Sequence, residues 1–598
     1  MLIRIRFHSV KVVLGLLLVA IAASGCAINP AGKDRNTSAQ LNEALRASNY
    51  TGAQKTIADA YDDKKNRSLM LMEGGLVDYL SKDHQQSIHR LNEAEVLTDE
   101  AETKRVSEYL KSIMAGPTSL SYGGALFERA YIHYYKAMNF LALANNHTGN
   151  DREDALEGAR IEARKIDRLL NSIQDQEPTY DEAKEGKEST FKQMTLLLRG
   201  LYGRTLDRDA LAYREDAYIR YMEGVIYESN GELDSARIAY QGAANLYEKG
   251  YAKQYGLGQA IVEMAWFEVV RVMRKAGGYR NEVADLTKRK LSKEMEQRLN
   301  EFDRDSAQLV VINHIGFAPK PKEMVLRLQL DTQTKELILT PAVLVPGLIS
   351  TSGSVDPIDI KEQLMWFNGM YSDRGIVDII SNYKKRGVYG VVQGMMEKRT
   401  SIASLWSVAE ESGLVSGLDW GGTIVQVPYL GSIATDFDSS QVTLDGEKKG
   451  TMIAAESIAT IALQQQLLGA GSGLRAALAR ELTKVAFCTQ TAKAAGGGFK
   501  SEIAKKLCIL GFGMVSGADT RSWSTLPHTI MIQRFAVEPG QHTVTITTPR
   551  AGGGIFHHAE YEIEIKKGQL MVLKNRAVAA APVATGQLIA TQSGQNIE

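Results

Sequence analysis

The chain has 598 residues, and its 70 Lys and Arg balance 70 Asp and Glu, so no global charge draws it to nucleic acid or to an anionic membrane. Apolar residues make up 44% of it, enough to bury several cores, and the length suggests about three or four domains. Metal binding is not expected of its cysteines, because neither Cys488 nor Cys508 has a His or Cys nearby at zinc-ligand spacing.

Arg4, Arg6 and Lys11 accompany an apolar run, Val12 to Ala23, and the small residues Ala23-Ser24-Gly25 lead into Cys26. The run is too short for a membrane span, which takes ~20 apolar residues. A basic start, a short apolar stretch and small residues at its end mark residues 1–25 as a cleaved export signal, leaving Cys26 as the new N-terminus. The string Ala23-Ser24-Gly25-Cys26 resembles the lipobox of Gram-negative lipoproteins, with Ala23 where leucine is usual. That resemblance implies lipidation of Cys26; a diacyl thioether plus an acylated amine supplies the several chains that stable anchoring needs. In such lipoproteins Asp after the cysteine signals inner-membrane retention; Ala27 here implies the outer membrane, facing the periplasm. No cofactor is expected beyond this covalent lipid, and no later segment looks able to span a bilayer.

Residues 26–40 are small and polar and are expected to form a flexible tether. From 41 to 306 the pattern is helical, with runs such as Ala125 to Ala137 placing apolar and aromatic side chains at helical spacing. Ala217 to Glu248 resembles a tetratricopeptide repeat: Gly224, Tyr227, Ala236 and Tyr240 fall on its small and aromatic packing positions, around an Asn230-Gly231 turn. Arg220, Glu223 and Glu248 depart from that pattern. Weaker copies carry Leu71, Gly75, Ser87, Leu91 and Ala94, then Ala155, Ala159 and Ala163 on a helix entered through a long loop, Asn145 to Glu153. The expected product is an all-α tetratricopeptide-like solenoid with a concave groove.

The pattern turns to strands near residue 307. The α+β reading is completed by an antiparallel β-sandwich-like domain over 307–450 and 518–576, interrupted by a helical insertion at 451–517. Within it, Ile530 to Ile532 with His542 to Ile546, and Tyr561 to Ile565 with Leu570 to Leu573, are expected to form two hairpins. The strings Val442 to Gly446 and Val537 to Val544 resemble paired ends of small envelope β-modules. Residues 577–598, rich in Ala, Thr, Gln and Gly, are expected to be disordered.

Cys488 and Cys508 flank Ala495 to Gly498 at similar distances; they are read either as a disulfide across a helical hairpin or as two buried thiols. Ala518 to Pro527 resembles a motif of a family of functionally uncharacterised bacterial lipoproteins with tetratricopeptide-like N-terminal regions, which implies an architecture and no reaction. Within it Asp519, Arg521 and Trp523 have two readings: a structural plug between insertion and sheet, or a recognition patch, since Trp and Arg are favoured interface anchors. Phosphate-loop, nucleophile-elbow and zinc-protease patterns are all missing, so no catalytic residue is assigned and enzymatic activity is not expected.

The expectation is a non-enzymatic scaffold, lipid-anchored in the outer membrane, that binds envelope proteins in assembly, secretion or cell-wall regulation. A carbohydrate-binding or peptidoglycan-processing role of the C-terminal domain is the alternative, suggested by Asp419 to Gly422 and the envelope address, with peptidoglycan as a further candidate partner.

Overall fold

The computed structural model describes residues 30–175, 213, 215–302, 306–344, 357–371, 397–418, 421–494, 499–515 and 517–579. Cys26 and its signal, Asp419 and Trp420, the glycines 496–498 and the tail from 580 lie outside these residues. No helix among the described residues is long and apolar enough to cross a membrane.

An N-terminal run of packed helices precedes a region rich in strands. The helices are α1 (Pro30–Arg46), α2 (Tyr50–Ala60), α3 (Arg67–Leu80), α4 (His84–Ala115), α5 (Leu126–Asn146), α6 (Gly149–Asp175), α7 (Ala217–Ser229), α8 (Leu233–Leu246), α9 (Gln259–Ala276), α10 (Arg280–Lys290) and α11 (Lys293–Leu299). Two expectations fail here. Residues 30–40 do not form a tether but belong to α1, whose Thr37 and Ser38 are buried, Ser38 lying against Ser524 and Lys320. The loop expected at 145–153 shrinks to His147 and Thr148, because Gly149 adopts φ +61° and starts α6 at once.

Among the described residues, the strand-rich part holds three four-stranded sheets, ordered β12-β1-β9-β8, β11-β10-β6-β7 and β4-β3-β2-β5. Their strands are β1 (Ala307–Ile315), β2 (Lys322–Asp331), β3 (Glu336–Pro341), β4 (Lys398–Ser401), β5 (Thr423–Tyr429), β6 (Gln441–Leu444), β7 (Glu447–Thr451), β8 (Ile453–Ser457), β9 (Thr529–Val537), β10 (Gly540–Pro549), β11 (Ile555–Ile565) and β12 (Leu570–Ala577). Helices α12 (Pro357–Met370), α13 (Trp406–Glu411), α14 (Leu414–Leu418), α15 (Ile458–Ala494) and α16 (Phe499–Val515) intervene.

Neither expected hairpin forms. β9 pairs with β1 and β8 while β10 pairs with β11 and β6, so the turn at 538–539 carries the chain from one sheet to another. β11 and β12 part in the same way, and β12 runs parallel to β1, which makes the first sheet mixed rather than antiparallel. Turn residues mark where a chain reverses, not which strand takes its hydrogen bonds. The expected insertion also begins too early, since 453–457 is strand β8, and Ala577 ends β12 rather than opening a tail.

β1 explains the layering. All nine of its residues are buried: Val310 and Ile312 join the core shared with the helices, while Leu309, Val311 and Ile315 join a core shared with Val442, Val544 and Ile546 of the second sheet. A strand covered on both faces needs the continuous apolar run Leu309 to Ile312. The third sheet has its own core, where Leu326, Leu328 and Val425 meet Phe367 of α12 and Leu474, Leu478 and Leu482 of α15.

Candidate functional site

The helical region meets the first sheet along a buried polar seam. Between α16 and β9 the segment 517–527, which turns at Ser524 and Thr525, lies against α3 and α5. The Glu73 carboxylate, fully buried, accepts from the Ser524 backbone N–H at 2.8 Å, the Ser524 hydroxyl at 2.8 Å, the Thr525 N–H at 3.2 Å and the Thr525 hydroxyl. Glu128 accepts from the Trp523 N–H at 2.7 Å, the Ala125 N–H at 2.8 Å and the Tyr122 hydroxyl at 2.5 Å. Burial pushes both carboxyls above the usual range, and these hydrogen bonds oppose it.

The candidate patch is therefore internal. Trp523 is 1% exposed with its ring 5.8 Å from that of Tyr135. Arg521 forks onto Asp519 at 2.8 and 2.7 Å, donates to Asn66 Oδ1 and the Leu120 carbonyl, and stacks over Tyr122. Asp519, Arg521 and Trp523 are brought together as a plug between helices and sheet, and the recognition-patch reading gives way: an indole this buried offers no face to a partner.

The repeat-packing residues also meet. A Cβ placed on Gly224 would lie 2.5 Å from the Tyr240 ring, and one on Gly75 would lie 2.8 Å from Leu91; in both pairs the partner is sixteen residues further on (224 to 240, 75 to 91). Ala236 and Tyr240 are fully buried, while Tyr227 is only partly covered. Cys488 and Cys508 are bonded, tying α15 to α16. Leu444 of β6 stands opposite Val544 of β10, so the two strings likened to envelope modules are neighbours despite the chain between them.

The site that the sequence reading missed is an open cleft of about 340 Å³ on the helical region. Three helices each supply one face at spacings of three and four: Glu95, Thr98 and Asp99 from α4, Arg129, Ile132 and His133 from α5, and Lys165, Arg168 and Leu169 from α6. At its floor His133 Nδ1 lies 2.7 Å from Glu162, and the Lys136 ammonium, 1% exposed, lies 2.6 Å from Glu95 and 2.9 Å from Glu162. Lys165 reaches the same two carboxylates at 3.1 and 3.2 Å. Burial raises the Glu162 carboxyl, but His133 and Lys136 outweigh it and hold it at about 2. The charged run was legible as sequence, but inside an apolar stripe it passed for packing.

Glu95, His133 and Glu162 offer ligand atoms within 4.8 Å of one another. A divalent cation among them would face two ammonium groups that already neutralise both carboxylates. The arrangement is an ion-pair network at the base of a cleft whose rim carries both signs of charge. Such a surface suits a charged polypeptide segment better than an apolar small molecule.

No family model and no curated protein matches the chain. Among solved structures, the crystal structure of MamA protein aligns at 13% identity, covering 45% of this chain and 96% of that one with a TM-score of 0.24, a likeness too low to bear on fold or function.

Proposed function

We propose that the protein is a lipid-anchored envelope scaffold, held at the periplasmic face of the outer membrane through Cys26, that binds a charged segment of a partner protein in the cleft between α4, α5 and α6. The cleft carries this reading. The tetratricopeptide-like spacing of the Gly75–Leu91 and Gly224–Tyr240 contacts supports a repeat architecture suited to protein binding. The Cys488–Cys508 bond supports an oxidising compartment. That the face holding Trp523 is filled by the chain itself favours the open cleft over the seam in this reading.

Crosslinking in intact envelopes followed by affinity capture tests this. Asp99→Lys combined with Arg168→Glu inverts two exposed rim charges and is expected to lose a partner that the wild-type chain retains. An unchanged partner set would reject the cleft. The address has its own test: Cys26→Ser is expected to abolish palmitate incorporation and release the chain from the membrane fraction.

A further inference from the structure

We infer that the open edge of β11 is a docking surface for an extended, basic segment of a partner protein, which adds to the second sheet as a further strand. β11 runs for 11 residues and, among the described residues, pairs with β10 alone, so it ends the sheet and its outer backbone N–H and C=O groups face no strand. Tyr561 and Ile563 turn toward the core, while Glu560, Glu562 and Glu564 stand exposed on the other face at the two-residue repeat of a strand. Free backbone groups along an exposed edge are a template for another strand.

Charge selects the occupant. Opposite the three glutamates on β10 stand Thr545, Thr543 and Gln541, none of them charged, and Glu562 accepts from the Thr543 hydroxyl at 2.8 Å. The row through Glu560 continues across Thr545 and Thr443 to Lys448, so that lysine stands three strands away, about 14 Å at the usual strand spacing and beyond the screening length of physiological salt. Lys566 and Lys567 lie past the end of the strand, in the turn after Ile565. β7, the opposite edge of the sheet, instead pairs its own charges, Lys449 with Glu447 at 3.0 Å. A second copy of this chain is a poor occupant, because two β11 edges would set glutamates against glutamates, and like charges directly opposite are destabilising. A segment alternating Lys or Arg with neutral residues puts a cation opposite each glutamate while its backbone completes the ladder. The edge shares no residue with the cleft between α4, α5 and α6, so either proposal can fail without the other.

The test titrates the full chain, kept in non-ionic detergent, into a fluorescently labelled peptide that alternates Lys with Thr over the length of β11. Binding that weakens with salt is expected, together with slower amide hydrogen exchange from Ile555 to Ile565. Glu560→Lys with Glu564→Lys is expected to weaken binding by about tenfold or more, because each change turns an attractive cross-strand pair into a repulsive one. Glu560→Gln with Glu564→Gln is expected to weaken it severalfold, and unchanged melting temperatures show both variants folded. The same peptide N-methylated at alternate residues keeps every charge but cannot complete the ladder, and it is expected not to bind. No binding of the unmethylated peptide, equal binding of the methylated one, or binding that neither pair of substitutions alters would overturn the inference.

Discussion

Arg534 of β9 reaches out of the sheet and sets its Nε 2.9 Å from a carboxylate oxygen of Glu268 on α9, with both side chains sealed from solvent. Arg534 also lies 3.2 Å from Glu228 and donates to Gln308 and Tyr240, while Arg271 bridges the same two glutamates at 2.6 and 2.7 Å. Two guanidiniums thus face two carboxylates across the junction of helices and sheet, with Lys275 at the edge 3.4 Å from Glu228. Removing one cation leaves an uncompensated buried charge. Arg534→Ala is expected to cost about 3–5 kcal/mol, measured as a shift in the urea midpoint. A loss below about 1 kcal/mol would mean that water reaches the quartet.

A second buried pair of carboxyls has no ion pair among the described residues. Asp216 caps α7, accepting from the Ile219 N–H at 2.8 Å and the Tyr213 hydroxyl at 3.1 Å, and Glu456 of β8 accepts from the Tyr251 hydroxyl at 2.6 Å. The two carboxyls hydrogen-bond to each other, with Tyr131, Tyr247 and Tyr255 facing them. Burial raises both: Asp216 to about 6, and Glu456 well above its ordinary range, further lifted by the Asp216 charge. The folded chain therefore keeps a proton that the unfolded chain releases near pH 4, so stability falls as pH rises from there through 6 and beyond. Glu456→Gln removes one of the two titrations and keeps a donor for Asp216. It is expected to lose less stability than wild type as pH rises from 5 to 8, and parallel urea midpoints for the two proteins across that range would refute the assignment.

Gly224 admits no side chain, because a Cβ there would meet the Tyr240 ring at 2.5 Å. Overpacking a helix crossing costs about 1–3 kcal/mol, so Gly224→Ala is expected to lower the melting temperature by several degrees. Combining it with Tyr240→Leu should recover less than the full loss, since that change also removes the hydroxyl's bonds to Glu228 and Arg534.

The Cys488–Cys508 bond closes a loop with a sequence separation of 20. A loop of that size is expected to contribute about 3 kcal/mol, so Cys488→Ser with Cys508→Ser should lower the thermal midpoint of the α15–α16 unit. Adding dithiothreitol should reproduce the shift in wild type and leave the double variant unmoved.

Much of the secondary structure was legible and little of its pairing. Alternating side chains in 530–532 and 542–546 identify strands, yet the same alternation serves a hairpin or a chain passing between two stacked sheets, and only the covering core distinguishes them. Leu309 to Ile312 was readable as a strand, but that it faces helices on one side and a sheet on the other depends on residues as distant in the chain as Leu41 and Val544. Trp523 was visible as distinctive, but its burial was not, because Glu73 and Glu128, which bind its neighbours, lie some 400 residues earlier. The cleft escaped notice for a related reason: Arg129, His133 and Lys136 occupy a helix whose other residues are mostly apolar or aromatic, and nothing local tells a buried ion pair from a solvated one.

β12 lies beside β1, so the last described strand completes a sheet begun by the first strand after the helices. During synthesis the helices emerge first, and part of what covers their inner face, Trp523, Leu526, Ile530, Ile532 and Val572, arrives only near the end. Contacts of such long range form late. Until those residues arrive, part of the apolar surface of the helices stays uncovered. Truncation before residue 529, which removes β9 to β12, is expected to yield an insoluble fragment rather than a shorter working protein.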